Sequence, residues 1–262
     1  MKRFNILVTA GIIGIIFLIL IPLPTPILDF LFILNISLSL LILVMSMYIR
    51  ETLEFSVFPS LLLITTLFRL GLNISSTRKI LFDNGYAGQV VKTFGQFVIR
   101  GNAVIGFIIF LIIVLVQFIV ITKGSERVAE VAARFTLDAM TGKQMDIDAD
   151  LNSGRIYEHH ARQRRSKIQR EADFFGSMDG DTKLEKGDAI ISIIITFINF
   201  VGGLIVGIMN SQGSIQDIMQ IYTTSTIGDG LVSQIPALLI SVATGMVVTR
   251  SASENSLSED LT

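Results

Sequence analysis

One acid stands inside an apolar stretch near the end of the chain: Asp229, between Gly228 and Gly230 and followed by Pro236. Glycines and a proline loosen regular helical backbone. Backbone groups freed in this way bind ions or water in transporters with broken helices, which would make the Asp229 carboxylate an intramembrane relay. A charge at the bilayer centre costs about 2.5 to 3.5 kcal/mol on insertion scales. Depth therefore decides its meaning. Near the edge Asp229 is a snorkelling end residue; deeper, it faces water or a cation. Arg69, towards the far end of another apolar run, carries the same two readings. Asp188 guards the entry to a third run, and Lys183, about one helical turn upstream, is placed to pair with it.

A second charged constellation lies between the apolar blocks. With Ser125 as N-cap, Val128, Val131, Ala132, Phe135 and Ala139 recur at helical spacing as one apolar stripe. Arg127, Glu130, Arg134 and Asp138 form an ionic stripe beside it, with Glu130–Arg134 and Arg134–Asp138 at the (i, i+4) spacing. Two readings stay open: an exposed helix with solvated pairs of about 0.3 to 0.5 kcal/mol each, or a packed switch latched by Arg134 and Asp138. From Arg155 to Phe175 a basic amphipathic helix is expected, with Tyr157, Ala161, Ile168, Ala172 and Phe175 on one face. It could lie on anionic lipid or be solvated, but the 13 acids and 12 bases between Lys123 and Asp188 favour pairing within the segment.

Other chemistries fit poorly. Asp146, Asp148 and Asp150 alternate as in a calcium loop, but Leu151 stands where that loop needs glycine and Tyr157 where it needs glutamate. Thr141-Gly-Lys-Gln lacks the glycine and the hydroxyl residue of a P-loop. His159 and His160 are adjacent and point about 100° apart on a helix, so they do not share a metal. The chain contains no cysteine, which removes disulfide, thiolate and iron–sulfur chemistry. No enzymatic constellation, metal or cofactor is expected.

The elements that must position these charges are hydrophobic. Of 262 residues, 51% are hydrophobic and 16% charged, too apolar for a soluble domain of this length. A net charge of −1 gives no reason to expect nucleic-acid binding. Six spans are read: Ile6–Ile21, Ile27–Ile49 with Asn35 and Ser37 as polar interruptions, Phe55–Asn73, Ala103–Ile121 with Gln117, Ala189–Met209, and Ile227–Val248. The Pro22–Pro26 stretch makes a hairpin between the first two, and it offers no signal-peptide cleavage pattern. With the amino terminus inside, 16 of the 21 basic residues are cytoplasmic, 12 of them between Lys123 and Lys186. Alternation puts the connection from Arg78 to Arg100 outside despite its four basic residues, so it is expected to be re-entrant or partly helical. Gly203 and Gly207, and Ala237, Ser241 and Gly245, offer small-residue packing faces.

ITKGSERVAEVAARFTLDAM, GKQMDIDADLNSG, EADFFGSMDGDTK and GDAI resemble, in order and spacing, the FHIPEP family of type III secretion export-gate proteins. TTLFRLGLNISSTRKIL upstream and TSTIGDGLVSQIPALLISVATGMVVTR downstream extend the resemblance over nearly the whole chain. NISSTR, GYAG and SASENSL look more like the flagellar branch than the injectisome branch. The resemblance implies a non-enzymatic component of a homo-oligomeric ring in the bacterial inner membrane. Beside other membrane proteins of the gate, such a ring couples ion motive force to protein export. It implies roles in ion passage or energy coupling for Arg78, Arg127, Arg134, Asp138, Lys183, Asp188, Asp229 and Arg250. Thr141 stands where the family usually has proline, Asp146 where it has a small neutral residue and Arg100 where it has glycine, so a looser turn is expected at Thr141. The family's chaperone- and substrate-docking domain follows two further spans, so the resemblance places that docking beyond Thr262.

The expected fold is an all-α polytopic membrane protein of about six transmembrane helices. Residues 1–122 hold helices one to four, 123–188 a charged, partly helical cytoplasmic segment, 189–250 helices five and six, and 251–262 a cytoplasmic tail. An ion-coupled transporter for a small solute is the alternative function. It would be favoured by an internal repeat, and the four-span and two-span blocks do not correspond.

Overall fold

The computed structural model describes residues 11, 13–99, 101–121, 124, 126–210 and 213–250. Lys2, Arg3, Arg100, Lys123, the Ser125 cap and the SASENSL stretch lie outside the described residues. The helices are α1 (residues 13–20), α2 (Thr25–Met47), α3 (Phe58–Phe82), α4 (Gln89–Ile99), α5 (Ala103–Val120), α6 (Glu126–Asn152), α7 (Glu158–Met209) and α8 (Ile215–Thr249). A 3-10 turn over Thr52–Phe55 joins α2 to α3. Among the described residues there is no strand. Five helices, α2, α3, α5, α7 and α8, are long and apolar enough to cross a membrane. The first expected span, Ile6–Ile21, starts outside the described residues and includes α1.

Burial is inverted relative to a soluble protein. α5 is nearly all aliphatic, yet only Gly106, Phe110, Val114 and Gln117 are covered, while Ile108, Leu111, Ile112, Leu115 and Val116 are exposed. α2 likewise turns one stripe inward, Leu28, Phe32, Asn35, Ser39, Ile42 and Ser46, at spacings of three and four. The remaining apolar surface of both helices suits lipid, which removes any drive to cover it. α8 is the central helix, packed by α2, α4, α5 and α7. Consequently its small and polar residues are the buried ones.

Two sequence-based expectations change, while the connection around residues 78–100 is partly helical as expected. The third span continues to Phe82, so Arg78 and Lys79 sit on α3 and not in a loop. The connection that follows is built around α4, whose N-terminal amides are capped from α2: Asp29 accepts from Gln89 N at 2.8 Å and from Val90 N at 2.9 Å. α4 then lies on α8 at backbone contact. A Cβ on Gly95 would strike the Thr224 carbonyl, and one on Gly228 the Val91 carbonyl. Finally, α8 is continuous through Pro236, so the glycines around Asp229 do not mark a break. Gly228 admits the α4 backbone, and Gly230 admits the Phe110 ring.

The charged segment is two helices and a turn. α6 runs through Thr141 and the Asp146–Asp150 alternation without loosening, and α7 continues from the basic region directly into the fifth span. At 1.5 Å per residue, α7 is about 78 Å long. Gly176, Gly180 and Gly187 would each weaken an isolated helix by about 1 kcal/mol. Packing overrides them, because Phe174, Met178, Thr182, Glu185 and Asp188 recur on one buried face. α6 and α7 form an antiparallel hairpin registered by Lys186–Glu126 (3.0 Å), Lys143–Glu171 (3.3 Å), Arg165–Asp148 (2.5 Å) and Arg164–Asp150 (3.3 Å). Lys167 clips the hairpin to the α2–α3 turn through Glu51 at 2.9 Å. In the first half of α6 the buried face is the small one, Ala129 and Ala133, with Ile147 buried farther on; Val128, Val131 and Phe135 of the expected apolar stripe are exposed. Thus acids and bases pair within the segment, as their balance suggests.

Candidate functional site: a polar seam through the spans

Three apolar helices each carry one line of polar residues. On α7, Glu185, Asp188, Ser192, Thr196 and Asn199 follow spacings of three and four, so they share a face that ends at Gly203 and Gly207. α3 contributes Arg69, Asn73 and Ser76, and α8 contributes Thr226, Asp229 and Ser233. The helices bring these lines together. Asn73 Nδ2 donates to Ser192 Oγ at 3.3 Å, while Ser233 Oγ donates to Asn73 Oδ1, tying all three helices at one level.

At one end, Arg69 Nη2 lies 2.5 Å and Nε 2.8 Å from Asp188 Oδ2. The two side chains are 2% and 4% exposed. Glu185, one turn away on α7, is 1% exposed. Farther along, Asn199 Nδ2 donates to Asp229 Oδ2 at 2.8 Å, with Asp229 3% exposed. Asp188 to Asn199 is about 16 Å along α7, roughly half of a 30 Å hydrocarbon core. Asp229 is buried between the three helices near the middle of α8 and is not an end residue of that helix. Its Oδ1, Asp188 Oδ1, Arg69 Nη1 and Gln234 Oε1 are buried without protein partners. A small cavity of about 30 Å³ lies between Asp188, Ser192, Ser233, Gln234 and Gln117. Such unmatched polar atoms are where water or an ion lodges in a membrane interior.

The FHIPEP family model matches residues 15–262 of this sequence. The chain belongs to the FHIPEP family. It is 60% identical over 217 residues to the flagellar biosynthesis protein FlhA of Bacillus subtilis, covering 83% of this chain and 32% of that one. It is 54% identical over 212 residues to the low calcium response locus protein D of Yersinia pestis, covering 81% and 30%. With the harpin secretion protein HrpI of Erwinia amylovora the figures are 56% over 206 residues, covering 79% and 29%. The chain spans about a third of the length of these relatives. No solved structure matches it.

Of the positions the FHIPEP resemblance singles out, the seam unites Asp188 and Asp229, and it adds Arg69 as the partner of Asp188. The expected Lys183–Asp188 pair is absent: Lys183 is exposed and binds Asp179 at 2.7 Å, its (i, i−4) neighbour, because it lies off the buried face. Arg134 pairs with Glu130 at 3.5 Å and not with Asp138; Arg127 shares Glu130 at 2.8 Å. These side chains lie on the outer surface of α6, away from the seam. Arg78 donates to the carbonyls of Ile19 and Leu20 at 3.0 Å each, closing the end of α1. Arg250 ends α8, where its carbonyl accepts from Thr52 Oγ1 at 3.2 Å. Glu185, Asn73, Ser192, Asn199 and Ser233 are the seam residues that sequence reasoning passed over. For Glu185, Ser192 and Asn199 the signal was present as a three–four spacing of polar residues on α7.

Of the two expected small-residue faces, the one on α7 has its partner, while a Cβ on Gly245 of the other would meet nothing within 4 Å. Gly203 and Gly207 hold the Tyr222 ring and, at Gly207, Ile218, so the GxxxG pair closes the α7–α8 hairpin within one chain. Gln117, the polar residue of the fourth span, donates to the Gln234 carbonyl on α8.

Proposed function

We propose that this chain is the membrane part of a flagellar type III protein-export gate and that ions cross it along the polar seam. The single observation that supports this most is the placement of a buried carboxyl, Asp229, held by Asn199 and by no basic side chain among the described residues, on the same three-helix seam as the Arg69–Asp188 pair. Mid-span ionisable groups are costly and characteristically serve ion passage. In this reading the ion is a proton, Asp229 is the intramembrane relay, and Asp188 hands the charge to the α6–α7 hairpin. Since α7 is one continuous helix from that hairpin into the membrane, a change at Asp188 reaches the hairpin as a rigid movement. The gate is a homo-oligomeric ring in the inner membrane, beside other membrane proteins of the apparatus. The amino terminus and residues 123–188 are cytoplasmic, and chaperones and export substrates dock on a domain beyond this chain.

Asp229→Asn tests the relay. The amide keeps the shape and the Asn199 contact but takes up no proton. In the full-length protein the variant assembles normally and loses ion-dependent export of flagellar subunits, by at least tenfold in secreted protein. Wild-type export by Asp229→Asn would remove this residue from the pathway.

A further inference from the structure

Glu185 is the buried acid that nothing above uses. It is 1% exposed, and neither of its carboxyl oxygens has a hydrogen-bond partner. The charged groups acting on it are Arg69 from α3 and Asp188 from its own helix. Glu126, the acid α6 brings to this level, is occupied by Lys186; α5 carries no charged residue, and the acid on the seam face of α8 is Asp229, farther along. Glu185 thus sits one helical turn from the Arg69–Asp188 pair on the same buried face of α7, with no ion pair of its own. Arg69 spends Nε and Nη2 on the same oxygen, Asp188 Oδ2, and leaves Nη1 and Asp188 Oδ1 unmatched. An ionised Glu185 without a donor would be a second buried negative charge with no counter-charge of its own, a far costlier arrangement than a neutral acid.

We infer that Glu185 and Asp188 share a single proton over Arg69, the carboxyl not paired with the guanidinium being the acid. In the arrangement seen, Asp188 is ionised and Glu185 carries the proton. In the exchanged arrangement Asp188 gains a proton from the Asp229 side of the seam. Arg69 turns its N–H groups to Glu185, and Glu185 releases its proton towards the charged half of α7. One proton enters and one leaves, and the net charge of the three side chains is zero before and after. Glu185 lies three residues beyond Asp188, about 4.5 Å along the axis, so each exchange moves the protonated site by that step. This inference deepens the proposed ion passage and rests on it only for its use in export.

Infrared spectroscopy of the 262-residue chain in lipid vesicles, in light and heavy water, detects protonated carboxyls by their C=O band. Selective ¹³C labelling of glutamate separates Glu185 from Asp188 and Asp229 without any substitution. A glutamic-acid band is expected in the unaltered chain at neutral pH and is lost in Glu185→Gln. The deciding variant is Asp188→Asn, which leaves Glu185 as the only carboxylate for Arg69. There the glutamic-acid band is lost as well. A band that survives Asp188→Asn shows an acid held neutral by burial alone and overturns the shared proton. So does the absence of any labelled acid band in the unaltered chain. Normal export by Asp229→Asn would sink the proposed passage while leaving this infrared result unaffected.

Discussion

Arg69 and Asp188 form the most consequential contact in the chain, because neither charge has access to water. Removing one partner of a buried pair is strongly destabilising, about 3 to 5 kcal/mol, since the survivor keeps its desolvation penalty. Arg69→Ala leaves Asp188 and Glu185 without a counter-charge and is expected to lower the melting temperature in detergent. Asp188→Asn is expected to be milder, because Glu185 remains to receive the guanidinium. Equal melting temperatures for the two variants would argue against two carboxyls competing for one arginine. At Lys183 and Arg134 the situation differs: their pairs are local and solvated, so any importance they have for function lies in what they meet, not in holding the fold.

α4 and α8 approach at backbone contact, and glycine makes it possible. Gly228→Val would place a side chain against the Val91 carbonyl, and forced overpacking of this kind typically costs about 1 to 3 kcal/mol. The expected result is a lower melting temperature with α4 displaced, seen as faster amide exchange over residues 89–99. Unchanged exchange there would show that α4 does not depend on this contact. The same substitution tests the reading of Gly228 as a packing residue rather than a helix breaker. A true break would tolerate it poorly in α8 and leave α4 protected.

For the whole molecule, the α6–α7 hairpin extends one side of the bundle, and its orientation follows from the charge distribution. Twelve basic residues lie between Lys123 and Lys186, and the bias of Lys and Arg towards the cytoplasm predicts that the hairpin is inside. Ser153 and Ser177 are exposed on it. Cysteines introduced at these two sites are expected to resist impermeant reagents in intact cells and to react after permeabilisation. Efficient labelling from outside would invert the topology.

Five of the expected spans, the all-helical class and the pairing of acids with bases follow from composition and periodicity alone. A 20-residue apolar run has few ways to satisfy its backbone in lipid other than as a helix. The suspicion attached to Asp229 and Arg69 was likewise available from the chemistry of a charge in an apolar run. Tertiary structure decided which charges meet. Lys183 is closer in sequence to Asp188 than Arg69 is, yet the helical face carrying Asp188 turns towards α3, so the partner lies 119 residues away. Local spacing also misassigned Gly228, Gly230 and Pro236, because a helix tolerates such residues once neighbours occupy the space they leave. Glu185 reads as one more acid in a charged segment; only the packing of α3 against α7 makes it a buried acid facing an arginine already in use.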